Sequence, residues 1–289
     1  MNSPPDTLVL GGGGRQGDAW MTGVLAGLED ARGFDLRGCD YFVGTSAGSV
    51  ITARLADGET LRRPGSQVAG GASGEQPLLP NWAANSITAI AAPFAALGLR
   101  LGRMPGELAR ATALGLLGAA ADETLDFGKR FPSRSTRWDG RLRVVAVDRG
   151  SGKRVVFGAP GGPRATVAQA LAASCALPLV FSPAVIGGRE YVDGAMWSPS
   201  NADVAPAGRD AEVLILSPMA SLHGPFHAGV RAASLGAVLL EEAALTARGA
   251  RPRVVTPDRA SSAAIGQDIM SGDGLDQTRA AGYAQGLSL

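Results

Sequence analysis

The chain has 289 residues, 45% apolar and 18% charged, and its 27 basic and 26 acidic side chains leave a net charge of +1. Those proportions exclude disorder as the overall state, and they signal neither a nucleic-acid-binding chain nor an acidic tail. Cys39, Cys175, His223 and His227 are the only cysteines and histidines, too few for a disulfide framework or a convincing metal site.

The length suits about two ordinary domains or one large α/β domain, and the element pattern favours a single domain over residues 1–289. Met1 to Thr7 lacks the basic and apolar regions of a secretory signal. The most apolar stretch, Ile87 to Leu99, is short, contains Pro93 and is followed by Arg100, so it does not read as a membrane span. The expected location is the cytoplasm.

In chain order, Thr7 to Leu10 is a short apolar run ending in four glycines, which predicts a buried strand and a turn. Gln16 to Ala31 carries apolar residues at helical spacing. Asp40 to Val43 predicts a second buried strand, broken at Gly44, with a helix starting near Ala47. Strand, helix, strand, helix points to a mostly parallel sheet covered by helices. Asp57 to Pro80, rich in Gly, Ser, Pro and Gln, predicts a loop, and Asn81 to Ala121 two apolar helices. Residues 57–125 therefore form a variable helical and loop insertion. Its helices read either as a lid over a cleft or as ordinary packing helices. Between Leu99 and Arg143 nine basic residues face five acidic ones, an excess that suits either peripheral contact with anionic lipid or solvated helix faces. Leu142 to Val147 predicts a strand, Arg154 to Phe157 its hairpin partner, and Thr166 to Ala176 a helix. Tyr191-Val192 leads into an Asp193-Gly194 turn. Glu212 to Leu216 is the last clear strand and Val230 to Ala247 the clearest late helix.

Three short patterns carry chemistry. Gly12-Gly13-Gly14-Arg15-Gln16-Gly17 fits G-x-G-x-x-G between a strand and a helix. A dinucleotide site would also need a carboxylate ending the second strand, where Val43-Gly44-Thr45-Ser46 stands, and a P-loop would need a lysine. A nucleotide-binding protein is therefore the weaker alternative. Backbone N–H groups at such a helix start also suit an acyl-transfer oxyanion. Gly44-Thr45-Ser46-Ala47-Gly48 fits G-x-S-x-G on a strand–turn–helix elbow, which exposes a nucleophilic serine; the plainer reading is a helix cap at Ser46. Asp193-Gly194-Ala195 supplies a candidate base, although Asp-Gly is also an ordinary turn. His223 and His227 follow in the order of a Ser–Asp–His triad, but only one strand precedes the strand leading to the elbow, and the segment between the histidines reads as an irregular loop.

Together, in this order, the glycine loop, G-x-S-x-G and D-G-A resemble the patatin-like phospholipase family. The resemblance extends through Val24 to Leu28, Val43 to Val50, Ala173 to Pro178, Ile186 to Ala195 and Asn201-Ala-Asp203. It implies a three-layer α/β/α patatin-like fold with a mostly parallel central sheet, and a dyad of Ser46 and Asp193. It implies an oxyanion hole at Gly12, Gly13 and Gly14, with Gly17, Gly44, Gly48, Gly194 and Ala195 as supporting motif positions. The implied substrate is a lipid or other acyl ester, of the phospholipase A or lysophospholipase kind, with no metal or organic cofactor. A catalytically silent member of the same fold is the third alternative. Many members carry Arg or Lys just before the last loop glycine. Here Gln16 stands there and Arg15 one place earlier, so a fixed charge near the oxyanion or a lipid phosphate is missing or displaced. The sequence assigns no oligomeric state.

Overall fold

The computed structural model describes residues 3–66, 111, 114–115 and 138–289. The helices expected over 81–121, most of the 57–125 insertion and most of the basic excess between Leu99 and Arg143 lie outside the described residues.

The described residues are organised around one eight-stranded sheet, in the order β5-β6-β3-β2-β1-β7-β8, with β4 also on β3. The strands are β1 (Thr7–Leu10), β2 (Tyr41–Thr45), β3 (Leu142–Asp148), β4 (Arg154–Phe157), β5 (Ala184–Ile186), β6 (Arg189–Asp193), β7 (Glu212–Leu216) and β8 (Arg251–Val255). From β8 through β7, β1 and β2 to β3 every pairing is parallel; β4, β5 and β6 pair antiparallel. The described helices are α1 (Gly14–Arg32), α2 (Ala47–Ala56), α3 (Val167–Cys175), α4 (Ala228–Ala247), α5 (Arg259–Ile265) and α6 (Leu275–Leu287). Among the described residues, no helix is long and apolar enough to cross a membrane.

Strand alternation divides the core in two, because successive side chains point to opposite faces. Leu8, Leu10, Phe42, Val144, Ala146, Leu214 and Leu216 share one face with residues of α1, α2, α3 and α5. Val9, Val43, Val145, Val213 and Ile215 share the other with Val238 and Leu245 of α4, and with Ala202 and Ala205. The result is three layers, helix on sheet on helix. Parallel strands buried on both faces read as unbroken apolar runs, as Leu8 to Leu10 and Val144 to Val147 do.

Among the described elements three strands, β5, β6 and β8, and two helices have no counterpart in the sequence expectations, which take Tyr191-Val192 only as the approach to a turn. β5 and β8 end the sheet, and β8 extends it beyond β7, which the sequence reading makes the last clear strand. Its Arg-Pro-Arg start is tolerable on an edge, where a missing N–H and exposed charge do little harm. β5 joins β6 through Gly187-Gly188, both at positive φ, as a tight hairpin turn requires. α5 has an Asp258 cap that accepts from Ser261 N–H at 2.7 Å.

α6 buries Thr278, Arg279, Gly282 and Gly286 rather than an apolar stripe. It packs backbone to backbone on α1. A Cβ at Gly23 or Gly27 would strike the carbonyls of Arg279 or Tyr283, and one at Gly282 or Gly286 those of Trp20 or Val24. Trp20 Nε1 also donates to Gln285 at 2.9 Å. Overpacking such a contact costs about 1–3 kcal/mol. Gly27→Val is therefore expected to lower stability by at least that much, which urea denaturation measures, while Gly236→Ala, exposed within α4 with open space around it, is expected to raise the midpoint, alanine being the better helix former by about 1 kcal/mol.

Candidate active site

The site forms where three strands meet. β4 pairs with Val144 to Val147 on one edge of β3. β2 pairs with Leu142 to Val145, and β6 with Ala146 to Asp148, so both must occupy the opposite edge. β2 runs parallel to β3 and β6 antiparallel, and their C-terminal ends therefore converge. Thr45 lies opposite Val145 and Asp193 opposite Ala146, neighbours in β3. Sheet pairing alone thus brings together the residue before Ser46 and Asp193 itself.

Ser46 leaves β2 in a sharp elbow at φ 51°, ψ −124°, with α2 starting at Ala47. A non-glycine residue in that region is strained by about 1–3 kcal/mol and persists only when its surroundings hold it. Ser46 N–H donates to Ser174 Oγ at 2.9 Å, and Ser174 Oγ donates to the Val145 carbonyl at 2.6 Å. The Ser46 carbonyl accepts from Ser49 N–H and Ser49 Oγ, at 2.9 and 2.6 Å. The flanking glycines are needed for space. A Cβ at Gly44 would strike Ser49 and Thr52, and one at Gly48 the Leu10 carbonyl. Ser46 is half-buried, with its hydroxyl near enough to Asp193 to lower the proton affinity of the carboxyl.

Asp193 ends β6 and is 2% exposed. Its N–H donates to the Ala176 carbonyl at 3.0 Å, and its carboxylate accepts from Ala195 N–H at 2.8 Å. The end of α3 thus anchors both backbones, Ser46 through Ser174 and Asp193 through Ala176. Gly194 passes so close to the Val145 carbonyl that a Cβ would overlap it. Burial pushes the Asp193 carboxyl from 3.8 up to about 7, against the opposing pull of the Ala195 N–H and the Ser46 hydroxyl. Neither histidine is among the groups that shift it. His223 and His227 sit in an exposed segment before α4.

The glycine loop arrives from β1. A Cβ placed on Gly12 would lie 3.3 Å from Ser46 Cβ and 3.7 Å from Ala195 Cβ, so loop, elbow and D-G-A turn converge. One expectation changes. Gly12 N–H already donates to the Pro199 carbonyl at 2.8 Å, and Gly11 N–H to that of Leu216 at 2.9 Å. Gly12 therefore has no donor to offer an oxyanion. The N–H groups of Gly13 and Gly14, opening α1, have no acceptor among the described residues. Gly17 closes the turn by donating to the Gly13 carbonyl at 2.8 Å.

Gln16 is 2% exposed and serves the scaffold. Its Nε2 donates to the carbonyls of Ser271 and Asp273 at 3.1 and 2.7 Å, and its Oε1 accepts from Thr278 at 2.6 Å. Its N–H donates to the Ile269 carbonyl at 3.0 Å. The amide thus ties the base of the glycine loop to the segment before α6. A buried lysine or arginine there would need a counter-charge instead of two carbonyls and a hydroxyl.

The family model described as patatin-like phospholipase matches residues 8–206. The chain belongs to the patatin-like phospholipase family. Its layers are those of a three-layer α/β/α patatin fold. The matched span contains the glycine loop, the elbow and the D-G-A turn of this patatin-like chain, and ends before β7. Among solved structures, it is similar to the crystal structure of VipD from Legionella pneumophila at 16% identity and a TM-score of 0.46. The match covers 98% of this chain and 66% of that one. A search of curated proteins gives no match.

Motif reading alone gives no site role to Ser174, Asn201 or Gln16. Ser174 and Asn201 lie in segments that carry the resemblance, but their hydrogen bonds span more than 100 residues of sequence. Cys39 and Cys175 are off the reacting line. Burial pushes the Cys39 thiol up to about 12 and the Cys175 thiol upward as well, so both stay protonated.

The raised Asp193 value has a sign for stability. Folding favours its neutral form, so the benefit is complete below the ordinary carboxylate range and disappears as pH rises through about 7. The gap of about three units corresponds to about 4 kcal/mol at alkaline pH. Asp193→Asn, neutral throughout, is expected to match the parent near pH ~4 and to be more stable by up to that amount near pH ~8.5, as read by denaturant midpoints.

Proposed function

We propose that the chain is a serine acyl-ester hydrolase acting on lipid esters of the phospholipase A or lysophospholipase kind, with Ser46 as nucleophile and Asp193 as base. The observation that carries the reading is the convergence of the glycine loop, the Ser46 elbow and the turn after Asp193, which sets the Ser46 hydroxyl beside a buried carboxyl. An ordinary aspartate is too weak a base at pH 7, whereas one near 7 balances ionised fraction against proton-accepting strength.

In this mechanism Ser46 Oγ attacks the ester carbonyl carbon while Asp193 takes its proton. The carbonyl oxygen becomes an oxyanion that accepts from Gly13 and Gly14 N–H at the start of α1, where the helix dipole also favours negative charge. Each such donor contributes about 2.7–4 kcal/mol to the transition state. The tetrahedral species collapses, the alcohol leaves with the proton from Asp193, and the acyl group remains on Ser46. Water then attacks the acyl-enzyme, giving its proton to Asp193. Collapse releases the acid and returns the proton to Ser46 Oγ.

Residues 1–289 act here as one domain, supported by the adjacency of β2 and β3 on either side of the 57–125 insertion. A lipid substrate entails peripheral contact with the membrane or micelle that holds it. Fluorophosphonate labelling with peptide mapping is the direct test, with modification expected at Ser46. Ser46→Ala and Asp193→Asn are each expected to lower ester hydrolysis at least ~10³-fold with the fold intact. Unchanged turnover in either variant overturns the assignment. Parent kcat/KM is expected to rise with pH through about 7, as Asp193 ionises.

A further inference from the structure

The ends of β2 and β6 are fixed to β3, but Ser46 and the turn after Asp193 leave the sheet. Asn201 spans the gap they leave. It is fully buried and adopts left-handed backbone angles, φ 50° and ψ 34°, which asparagine tolerates better than most residues. Its Nδ2 donates to Thr45 Oγ1 and to the Gly194 carbonyl, both at 3.2 Å, and to the Ser198 carbonyl. One acceptor immediately precedes Ser46; another immediately follows Asp193.

The amide cannot turn over. Its Oδ1 accepts from Arg154 Nη1 at 3.3 Å, a group that only donates, while the carbonyls on the other side only accept. Arg154 is itself held by a two-pronged pair with Asp203, both contacts 2.6 Å, and by stacking over Trp197 at 5.1 Å. The residues on either side of Asn201 are fixed too. Glu241 of α4 accepts from Ser200 Oγ at 2.6 Å and from Ala202 N–H at 2.8 Å. In the same segment, the Pro199 carbonyl occupies the Gly12 N–H.

We propose that Asn201 is a positioning residue: its side-chain amide clasps Thr45 and Gly194 and so sets the separation of Ser46 and Asp193. The proposal rests on the reading of those two as nucleophile and base. It also gives Thr45, the variable position of G-x-S-x-G, a specific task, because its hydroxyl is one arm of the clasp.

Two variants test it. Asn201→Gly keeps the backbone angles and removes the amide. Asn201→Asp keeps the size and tolerates the same angles, but presents only acceptors to the Gly194 and Ser198 carbonyls. For each, circular dichroism establishes the folded fraction. The rate of Ser46 modification by a fluorophosphonate is then measured per folded molecule, alongside kcat and KM on a p-nitrophenyl ester. Both variants are expected to lose at least tenfold in labelling rate and in kcat, with KM within twofold. A role in folding alone would reduce the folded fraction and leave the rate per folded molecule intact, and that result overturns the proposal. So does parent-like labelling in Asn201→Asp, which also decides the question should Asn201→Gly not fold. A rise in KM at constant kcat overturns it as well. A parent protein that fluorophosphonate leaves unmodified at Ser46 overturns the nucleophile assignment itself, and the clasp with it.

Discussion

One edge of β3 accommodates two strands end to end, and the candidate chemistry depends on that arrangement. β2 fills the first part of the edge and β6 the last, in opposite directions, so both terminate at the Val145–Ala146 step. The proposed nucleophile and base are therefore placed by sheet hydrogen bonds rather than by long mobile side chains. Side chains mounted on regular elements keep their relative positions far better than loop residues do. The surrounding polar groups add to this precision. Ser174 bridges β3 to Ser46, and Ala176, one residue beyond the end of α3, takes the Asp193 N–H.

The same arrangement carries costs that the scaffold offsets. Ser46 occupies a strained backbone region, and Asp193 is shut away from water. Both features disfavour the folded state and favour reaction: the elbow exposes the hydroxyl, and burial gives the carboxylate affinity for a proton. Compensation comes from a dense apolar layer on each face of the sheet and from the backbone-to-backbone contact of α1 with α6. Since α1 begins with the candidate oxyanion donors, the helix pair and the Gln16 amide together steady the loop from behind.

Much of this was legible in the sequence. β1, β2, β3, β4 and β7 are short apolar runs between turn residues, and the strand–glycine–helix contexts mark both motifs. Most of what escaped has a physical reason. β8 and β5 are edge strands, and edges need no apolar alternation. α6 is held through glycines, so periodicity analysis has no stripe to detect. The occupied Gly12 N–H and the Asn201 bridge arise from contacts distant in the chain, which motif spacing does not encode. Conversely, Gln16 stood out as a departure from the family pattern, and the structure explains it as a tether between the glycine loop and the segment before α6.

The sealed Cys39 thiol, 1% exposed, offers an independent use. Held in its protonated form beneath the start of β2, it can meet an alkylating reagent only when that part of the molecule breathes. Its consumption under native conditions is therefore a clock for local opening. It is read on a different atom from the serine-directed probe, so one sample can report motion and reactivity separately.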